Sequence, residues 1–329
     1  MKANPITSTI AFDEDGVHHG HLRLPYSRDD SAWGSVMIPI CVIKNGAGPT
    51  ALLTGANHGD EYEGPLALQD LAYNLKAEDI KGRVIIVPAL NYPAFRAATR
   101  TSPIDGANMN RIFPGKSDGS VSEKIADYFQ HSLIPLADFV LDIHSGGKTL
   151  NFVPFAAAHI LDDKTQQQAC VDSMIAFNAP YSIMLEEIDN VGMYDTAVEE
   201  QGKVFLSTEL GGGGSASAKT REIAVQGVRN FLIHAQIIDD TLQQKPTQLL
   251  DMAAQNSTLI CNDDGLVDYC FDLEEHINAG DVVARVWPLH VSGQAPKEYR
   301  AQVSGMLAGR HFPGLIKTGD FLALIAKLI

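Results

Sequence analysis

Pro49 to Leu75 reads PTALLTGANHGDEYEGPLALQDLAYNL. It opens on a short apolar run, residues 49–55, that ends in glycine and has the pattern of a buried strand. From Gly64 onward the apolar residues fall at helical spacing. Further apolar runs at residues 35–44, 83–88, 139–143, 181–185 and 203–207 read as strands. Residues 120–132, 164–178, 192–201 and 218–238 read as helices. Short buried strands alternating with helices predict an α/β fold, with a mixed, mostly parallel sheet flanked by helices.

The pattern changes after the polar stretch TLQQKPTQ at residues 241–248. Residues 257–329 read as short strands and turns without a clear helix. Two domains are expected, residues 1–242 and residues 250–329. In the second, INAGDVVARVW (277–287) and IKTGDFLALIA (316–326) share I-x-x-G-D-x-x-A. A repeat in so small a unit predicts a pseudo-symmetric, all-β, sandwich-like domain. It resembles the biotinyl/lipoyl sandwich, but no lysine stands in the usual hairpin, so packing rather than cofactor carriage is expected.

The chain has 329 residues, 45% of them hydrophobic and 20% charged, with a net charge of −15. The apolar fraction is too high for disorder. The acidic surplus would repel phosphates, which argues against a nucleic-acid partner. No apolar stretch is long enough for a membrane helix, and the N-terminal residues carry no signal-like apolar core. Cys41, Cys170, Cys261 and Cys270 match no zinc-knuckle or C-x-x-C spacing. Free thiols in a reducing cytoplasm are expected.

GANHGDEYEG (55–64) lies where a strand gives way to a helix, the position at which open α/β sheets bind ligands. His58 and Glu61, three apart on a tight turn, can point at one atom, and imidazole with carboxylate suits Zn²⁺. Alone, H-x-x-E also fits a solvated surface. A second strand, FVLDIHSGG (139–147), ends at His144, with Asp142 two residues back on the same side to orient an imidazole. A His, Glu, His set leaves one zinc position open, the mark of a catalytic site. A third strand, KVFLSTELGGGG (203–214), ends at Glu209, a carboxylate suited to act as general base. The four glycines would keep side chains out of its way. They are not a phosphate loop, because no Gly-Lys-Ser/Thr follows. The connection TRTSPIDGANMNRIFPG (99–115) carries Arg100, Asn108, Asn110 and Arg111; guanidinium groups bind carboxylates and steady oxyanions, although, for this feature alone, surface salt bridges are the plainer use.

Taken together, these motifs resemble the succinylglutamate desuccinylase/aspartoacylase branch of the zinc carboxypeptidase-like superfamily, over about residues 40–240. The resemblance implies that His58, Glu61 and His144 ligate one Zn²⁺ and that Glu209 is the catalytic glutamate. It implies that Arg100 polarises the scissile carbonyl and that Asn110 and Arg111 hold a substrate α-carboxylate. Within the branch, LPYSRDDSAWG, NYPAFRAATRTSPIDGANMNRIFPG, DIHSGGKTLNFVPFAAAH, VGMYDTA and STELGGGG are similar to the enzymes that deacetylate Nα-acetyl-L-2,4-diaminobutyrate in bacterial ectoine degradation. The implied partner is therefore a small N-acetylated amino acid, handled by a cytoplasmic homo-oligomer, a dimer. The branch also brings a C-terminal-domain tyrosine to the substrate, for which Tyr269 and Tyr299 are the candidates. Either one of Glu186, Glu187, Asp189 and Asp195 meets the substrate's side-chain ammonium, or this acidic stretch is a solvated loop. The rival readings are another N-acyl-amino-acid deacylase, such as an aspartoacylase or succinylglutamate desuccinylase, and a metal-binding module without turnover.

Overall fold

The computed structural model describes residues 3–186, 191–252 and 256–329. Along the chain, the elements that position the site begin with strands β1 (Gly16–Pro25), β2 (Ser35–Asn45) and β3 (Thr50–Gly55). Helix α1 (Glu63–Asn74), strand β4 (Gly82–Val87), helix α2 (Val121–Tyr128) and strand β5 (Phe139–His144) follow. Next come strand β6 (Phe155–His159), helix α3 (Lys164–Phe177), strand β7 (Tyr181–Leu185) and helix α4 (Tyr194–Glu199). Strand β8 (Val204–Glu209), helix α5 (Ala218–His234) and strands β9 (Gln248–Asp251), β10 (Gly305–His311) and β11 (Phe321–Leu328) complete the set.

The main sheet runs β1-β2-β4-β3-β5-β8-β6-β7-β9-β11-β10. Its centre, β4-β3-β5-β8, is parallel, while β1, β2 and β6 join antiparallel. The sheet is thus mixed around a parallel centre, as the alternation of strands and helices predicts. Neighbouring residues of each central strand enter opposite cores, because successive side chains point to opposite faces. Leu53, Ile86, Leu141 and Leu206 pack with Leu68, Phe177 and Phe231 of α1, α3 and α5. Leu52, Ile85, Val140 and Phe205 pack on the other face with Ile125, Tyr194 and Val198 of α2 and α4. Burying both faces explains why these strands read as unbroken apolar runs.

Two helices are shorter than their patterns suggest. The 120–132 pattern is α-helical only over Val121–Tyr128, and a π-helical turn, Phe129–Leu133, follows. Pro135, which has no N–H to donate, stands just beyond. The 218–238 pattern stops at His234, and Gln236 takes a left-handed φ of 59°.

Beyond β9 the chain forms antiparallel strands in two layers. One layer continues the main sheet through β11 and β10. The other is a four-stranded sheet containing Val282–Trp287 and Leu315–Ile316. The two I-x-x-G-D repeats build the same turn. Gly280 and Gly319 have φ of 94° and 93°, and the carboxylates of Asp281 and Asp320 accept from the backbone N–H of Asn278 and Lys317, each at 2.9 Å. Each repeat also changes layers at its turn. Ile277 pairs with β10 while Val282–Trp287 lies in the four-stranded sheet; Ile316 lies in that sheet while β11 lies in the other. This exchange is the pseudo-symmetric sandwich expected from the repeat, closed over a core of Val283, Val286, Leu307, Leu322 and Ile325.

Candidate metal centre and substrate cavity

Parallel pairing sets the carboxyl ends of three adjacent strands side by side. Thr54 of β3 is in register with Asp142 of β5, and His144 of β5 with Glu209 of β8. His58 and Glu61 lie on the turn that leaves β3. That turn passes against the start of the 92–97 helix so closely that a Cβ on Gly59 would stand 2.0 Å from the Ala94 carbonyl carbon.

Side-chain donors of His58, Glu61 and His144 all lie within 4.8 Å of one another, and all three residues are buried. His58 Nδ1 is 2.7 Å from Glu61 Oε1, and His144 Nδ1 is 3.0 Å from Glu61 Oε2. The far nitrogen of each ring is held elsewhere. His144 Nε2 lies 2.8 Å from Asp142 Oδ2, and His58 Nε2 lies 3.1 Å from Asn108 Oδ1. A ring that donates Nε2–H to such an acceptor turns the lone pair of Nδ1 inward. Two imidazole lone pairs then converge on a carboxylate, an arrangement that calls for a cation between them. A divalent ion fits this donor set, and Zn²⁺ suits its mixture of nitrogen and oxygen.

The charges of the three groups also act strongly on one another. Burial pushes the Glu61 carboxyl up, but the charges of His58 and His144 outweigh it and leave its pKa well below the usual carboxylate range. Burial lowers His144, yet Asp142 and Glu61 together raise it well above an ordinary histidine. Asp142 is itself fixed, accepting from Thr54 Oγ1 at 2.7 Å and from Asn57 Nδ2 at 2.9 Å. Asp142 thus stands beside the His144 imidazole, within hydrogen-bond distance of its Nε2.

Glu209 ends β8 beside this cluster. Its Oε2 is out of contact with solvent and has no hydrogen-bond partner among the described residues. Burial and the charge of Glu61 push its pKa up to about 8, against the lowering pull of His144 and Arg100. A cation held by the three ligands would pull it down again. The four glycines after it serve the backbone rather than merely leaving space. Gly146 and Phe152 donate to the Gly211 carbonyl at 3.1 and 3.0 Å, and a Cβ on Gly212 would lie 2.2 Å from the Leu150 oxygen.

Arg100, Asn110 and Arg111 line the same cavity as His58, His144 and Glu209, a space of about 590 Å³. Arg100 is exposed, with Nη1 3.8 Å from Glu61 Oε1. Asn110 is buried and accepts from the Tyr194 N–H at 2.8 Å, which ties the loop to the start of α4. Arg111 donates Nη1–H to the Asn110 carbonyl at 2.6 Å.

The far wall of the cavity comes from β6, a strand absent from the sequence expectation, together with β8 and α4. Its lining includes Ala157, His159, Asp195, Phe205 and Ser207. An apolar FAAAH run bounded by Pro154 and the Asp162-Asp163 pair was the available signal for it. Of the four acidic candidates, Asp195 and Glu186 line the cavity, whereas Glu187 and Asp189 lie outside the described residues. Residues beyond β7 contribute Met252, Thr258, Phe321 and Leu324 to the lining, but neither candidate tyrosine. Tyr269 donates its hydroxyl to the His311 and Leu322 carbonyls, and Tyr299 donates to Asp263.

Comparison with known proteins agrees with this geometry. Residues 47–235 match the succinylglutamate desuccinylase/aspartoacylase catalytic domain. The chain is 51% identical to the N-alpha-acetyl-L-2,4-diaminobutyric acid deacetylase of Halomonas elongata, over 100% of this chain and 97% of that protein. Among solved structures, it is similar to the product-bound ectoine utilization protein EutE of Ruegeria pomeroyi at 62% identity and a TM-score of 0.97, covering 99% of this chain and 100% of that one. It is also similar to a succinylglutamate desuccinylase/aspartoacylase from Rhodobacter sphaeroides at 34% identity and a TM-score of 0.94, covering 99% of each chain. His58, Glu61, His144 and Glu209 all fall inside the matched region, and this chain belongs to the succinylglutamate desuccinylase/aspartoacylase family.

Proposed function

We propose that this chain is a zinc-dependent amidohydrolase that cleaves the acetyl amide of Nα-acetyl-L-2,4-diaminobutyrate to acetate and L-2,4-diaminobutyrate, a step of ectoine degradation. The substrate assignment is supported by the full-length similarity to the Halomonas elongata deacetylase. The observation that carries the chemistry is the solvent-excluded Oε2 of Glu209, left without a partner among the described residues beside the His58, Glu61 and His144 cluster. A metal-binding module without turnover has no use for such a group.

A Zn²⁺ held by His58, Glu61 and His144 supplies Lewis acidity for the acetyl carbonyl and makes water acidic near neutral pH. Glu209 takes a proton from the attacking water. As the C–N bond breaks, it passes that proton to the leaving α-nitrogen. Arg100 steadies the negative charge that develops on the acetyl oxygen. Arg111 has one nitrogen committed to the Asn110 carbonyl and offers the rest of its fork to the α-carboxylate, which fixes the register of the amide.

Among the described lining residues the only lysines or arginines are Arg100 and Arg111, and both are used in this scheme. An aspartoacylase or desuccinylase would need a further cation for its acidic side chain. The proposal includes a cytoplasmic location, supported by four free cysteines, and assembly as a homodimer. Among the described residues no helix is long and apolar enough to cross a membrane. The test is acetate release from the Nα- and Nγ-acetyl isomers of diaminobutyrate, with and without chelator. Release from the Nα isomer that stops with chelator is expected. Release from neither isomer removes the substrate, and release unaffected by chelator removes the metal.

A further inference from the structure

The far wall of the cavity is built in rows across two antiparallel strands. Phe155 of β6 faces Glu209 of β8 in the first row, and Ala157 faces Ser207 in the second. Beyond them the rings of His159 and Phe205 stack at 6.1 Å. Successive rows lie about 7 Å apart. The small pair, Ala157 and Ser207, therefore leaves a hollow one row beyond the catalytic carboxylate, and the stacked rings close it one row further on.

Helix α4 lies on this face of β8, with Tyr194 edge-on to Phe205 at 6.1 Å. It is pinned at both ends. The Tyr194 N–H donates to Asn110 at its start, and Glu199 at its end receives His159 Nδ1 at 2.8 Å. Asp195 stands in its first turn, 7% exposed and lining the cavity. Oδ1 of Asp195 accepts from the Thr196 N–H at 2.5 Å and from the Thr196 hydroxyl at 3.2 Å. Oδ2 keeps 4.0 Å from His159 Nε2, beyond hydrogen-bond distance. A largely buried carboxylate on the wall of this cavity is a favourable acceptor for a cation that enters it.

We propose that Asp195 receives the side-chain ammonium of the substrate and is the residue that selects a diamino acid. This rests on the deacetylase reading above. Two methylenes carry that ammonium roughly 4 Å from the α-carbon, within the depth of the Ala157–Ser207 hollow. The helix that bears Asp195 is tied to Asn110, the neighbour of Arg111, so the receptors for the two ends of the substrate share one support. His159 and Glu199 are positioning residues, since they hold the far end of that helix.

The experiment compares kcat/KM for Nα-acetyl-L-diaminobutyrate with that for Nα-acetyl-L-norvaline, which replaces the ammonium by a methyl. The ratio is measured in the wild type, in Asp195→Asn and in Glu186→Gln, with zinc content and melting temperature as folding controls. A fall in the ratio of about 100-fold in Asp195→Asn, with a change below about threefold in Glu186→Gln, is expected when a closed pocket no longer offers the ammonium a charged acceptor. A ratio in Asp195→Asn within threefold of wild type overturns the proposal, as does a larger fall in Glu186→Gln. If Asp195→Asn does not fold, inhibition of the wild type is compared between L-diaminobutyrate and L-norvaline. Inhibition at least tenfold tighter by the diamine supports the proposal, and equal inhibition overturns it. A wild type that releases acetate from neither substrate removes the deacetylase reading and this inference with it. An active wild type with an unchanged Asp195→Asn ratio removes this inference alone.

Discussion

Asp142 is not one of the three clustered donors, yet the structure makes it the residue on which metal affinity should turn. It is 1% exposed and holds three donors: Thr54 Oγ1 on Oδ1, with Asn57 Nδ2 and His144 Nε2 on Oδ2. In Asp142→Asn the amide can turn its oxygen toward His144 and Asn57 and its NH₂ toward Thr54, whose hydroxyl rotates to accept. Geometry survives, and the loss is the charge on the acceptor. Charge-assisted hydrogen bonds are roughly twice as strong as neutral ones, so this variant should lose about 1.4 kcal/mol, or about tenfold in zinc affinity. Asp142→Ala removes the acceptor altogether and frees the His144 ring to rotate. Its loss should approach 100-fold, the upper end for such supporting partners, about 2.8 kcal/mol. The assay is competition for zinc against a chelator of known affinity, read without turnover, with circular dichroism as the folding check. The ordering wild type, Asp142→Asn, Asp142→Ala is the decisive result. A folded Asp142→Ala that binds zinc as tightly as the wild type would refute the argument that the carboxylate sets the His144 ring.

Glu209→Gln should retain zinc and lose about 10²- to 10⁴-fold in kcat, measured by acetate release; near-normal turnover would exclude Glu209 as the base. Zinc affinity should rise as pH increases above the ordinary histidine value, because His144, held well above it by Asp142 and Glu61 against the pull of burial, must lose a proton to bind metal. By the same sign, ionised His144 favours the fold of the metal-free protein at low pH, and that contribution fades as pH rises through the folded-state pKa. Chelator titrations at stepped pH test the first point. Gly227→Ala in α5 should lower stability by about 1–3 kcal/mol in urea unfolding, because the new Cβ would stand 2.3 Å from the ring of buried Phe177; an increase would mean that helix propensity outweighs packing there. Ellman's reagent should react quickly with Cys270 alone. Cys41 and Cys170 are buried, with thiols pushed up to about 12 and about 11, and Cys261 is buried too, so these three should react only on unfolding.

What could be read in advance follows from which features are local. Each ligand-bearing segment joins an apolar run to a polar residue at its end, and that junction is visible in a few residues. His58, Glu61, His144 and Glu209 announce themselves in this way, and parallel pairing then brings their strand ends together. Strand β6 stayed hidden because three of its five residues are alanine, a poor strand former whose place here is set by pairing with β7 and β8. The grip of Asn108 on His58 spans fifty positions and leaves no periodic trace. The tyrosines fail for a related reason. A hydroxyl takes whichever acceptor its own domain offers, and Tyr269 finds two backbone carbonyls within hydrogen-bond distance.

A net charge of −15 counts against nucleic acid but says little about the cavity, where sign varies with position. Arg100 and Arg111 line it together with His58 and His144, while Asp195 and Glu186 line it from α4 and the end of β7. A small molecule entering such a field is oriented before it is bound. One with a carboxylate at the α-carbon and an ammonium at the end of its side chain gains at both ends. One with a carboxylate at the end of its side chain would set like charge against Asp195, a juxtaposition that costs several kcal/mol. On this argument the same catalytic machinery could serve aspartoacylases, desuccinylases and diamino-acid deacetylases alike. On the proposal made above, what separates them here is the charge that Asp195 brings to the cavity. Asp195→Arg should therefore move preference toward acidic side chains without moving any metal ligand, and a substrate panel in which acetyl-aspartate gains nothing would place the discrimination elsewhere.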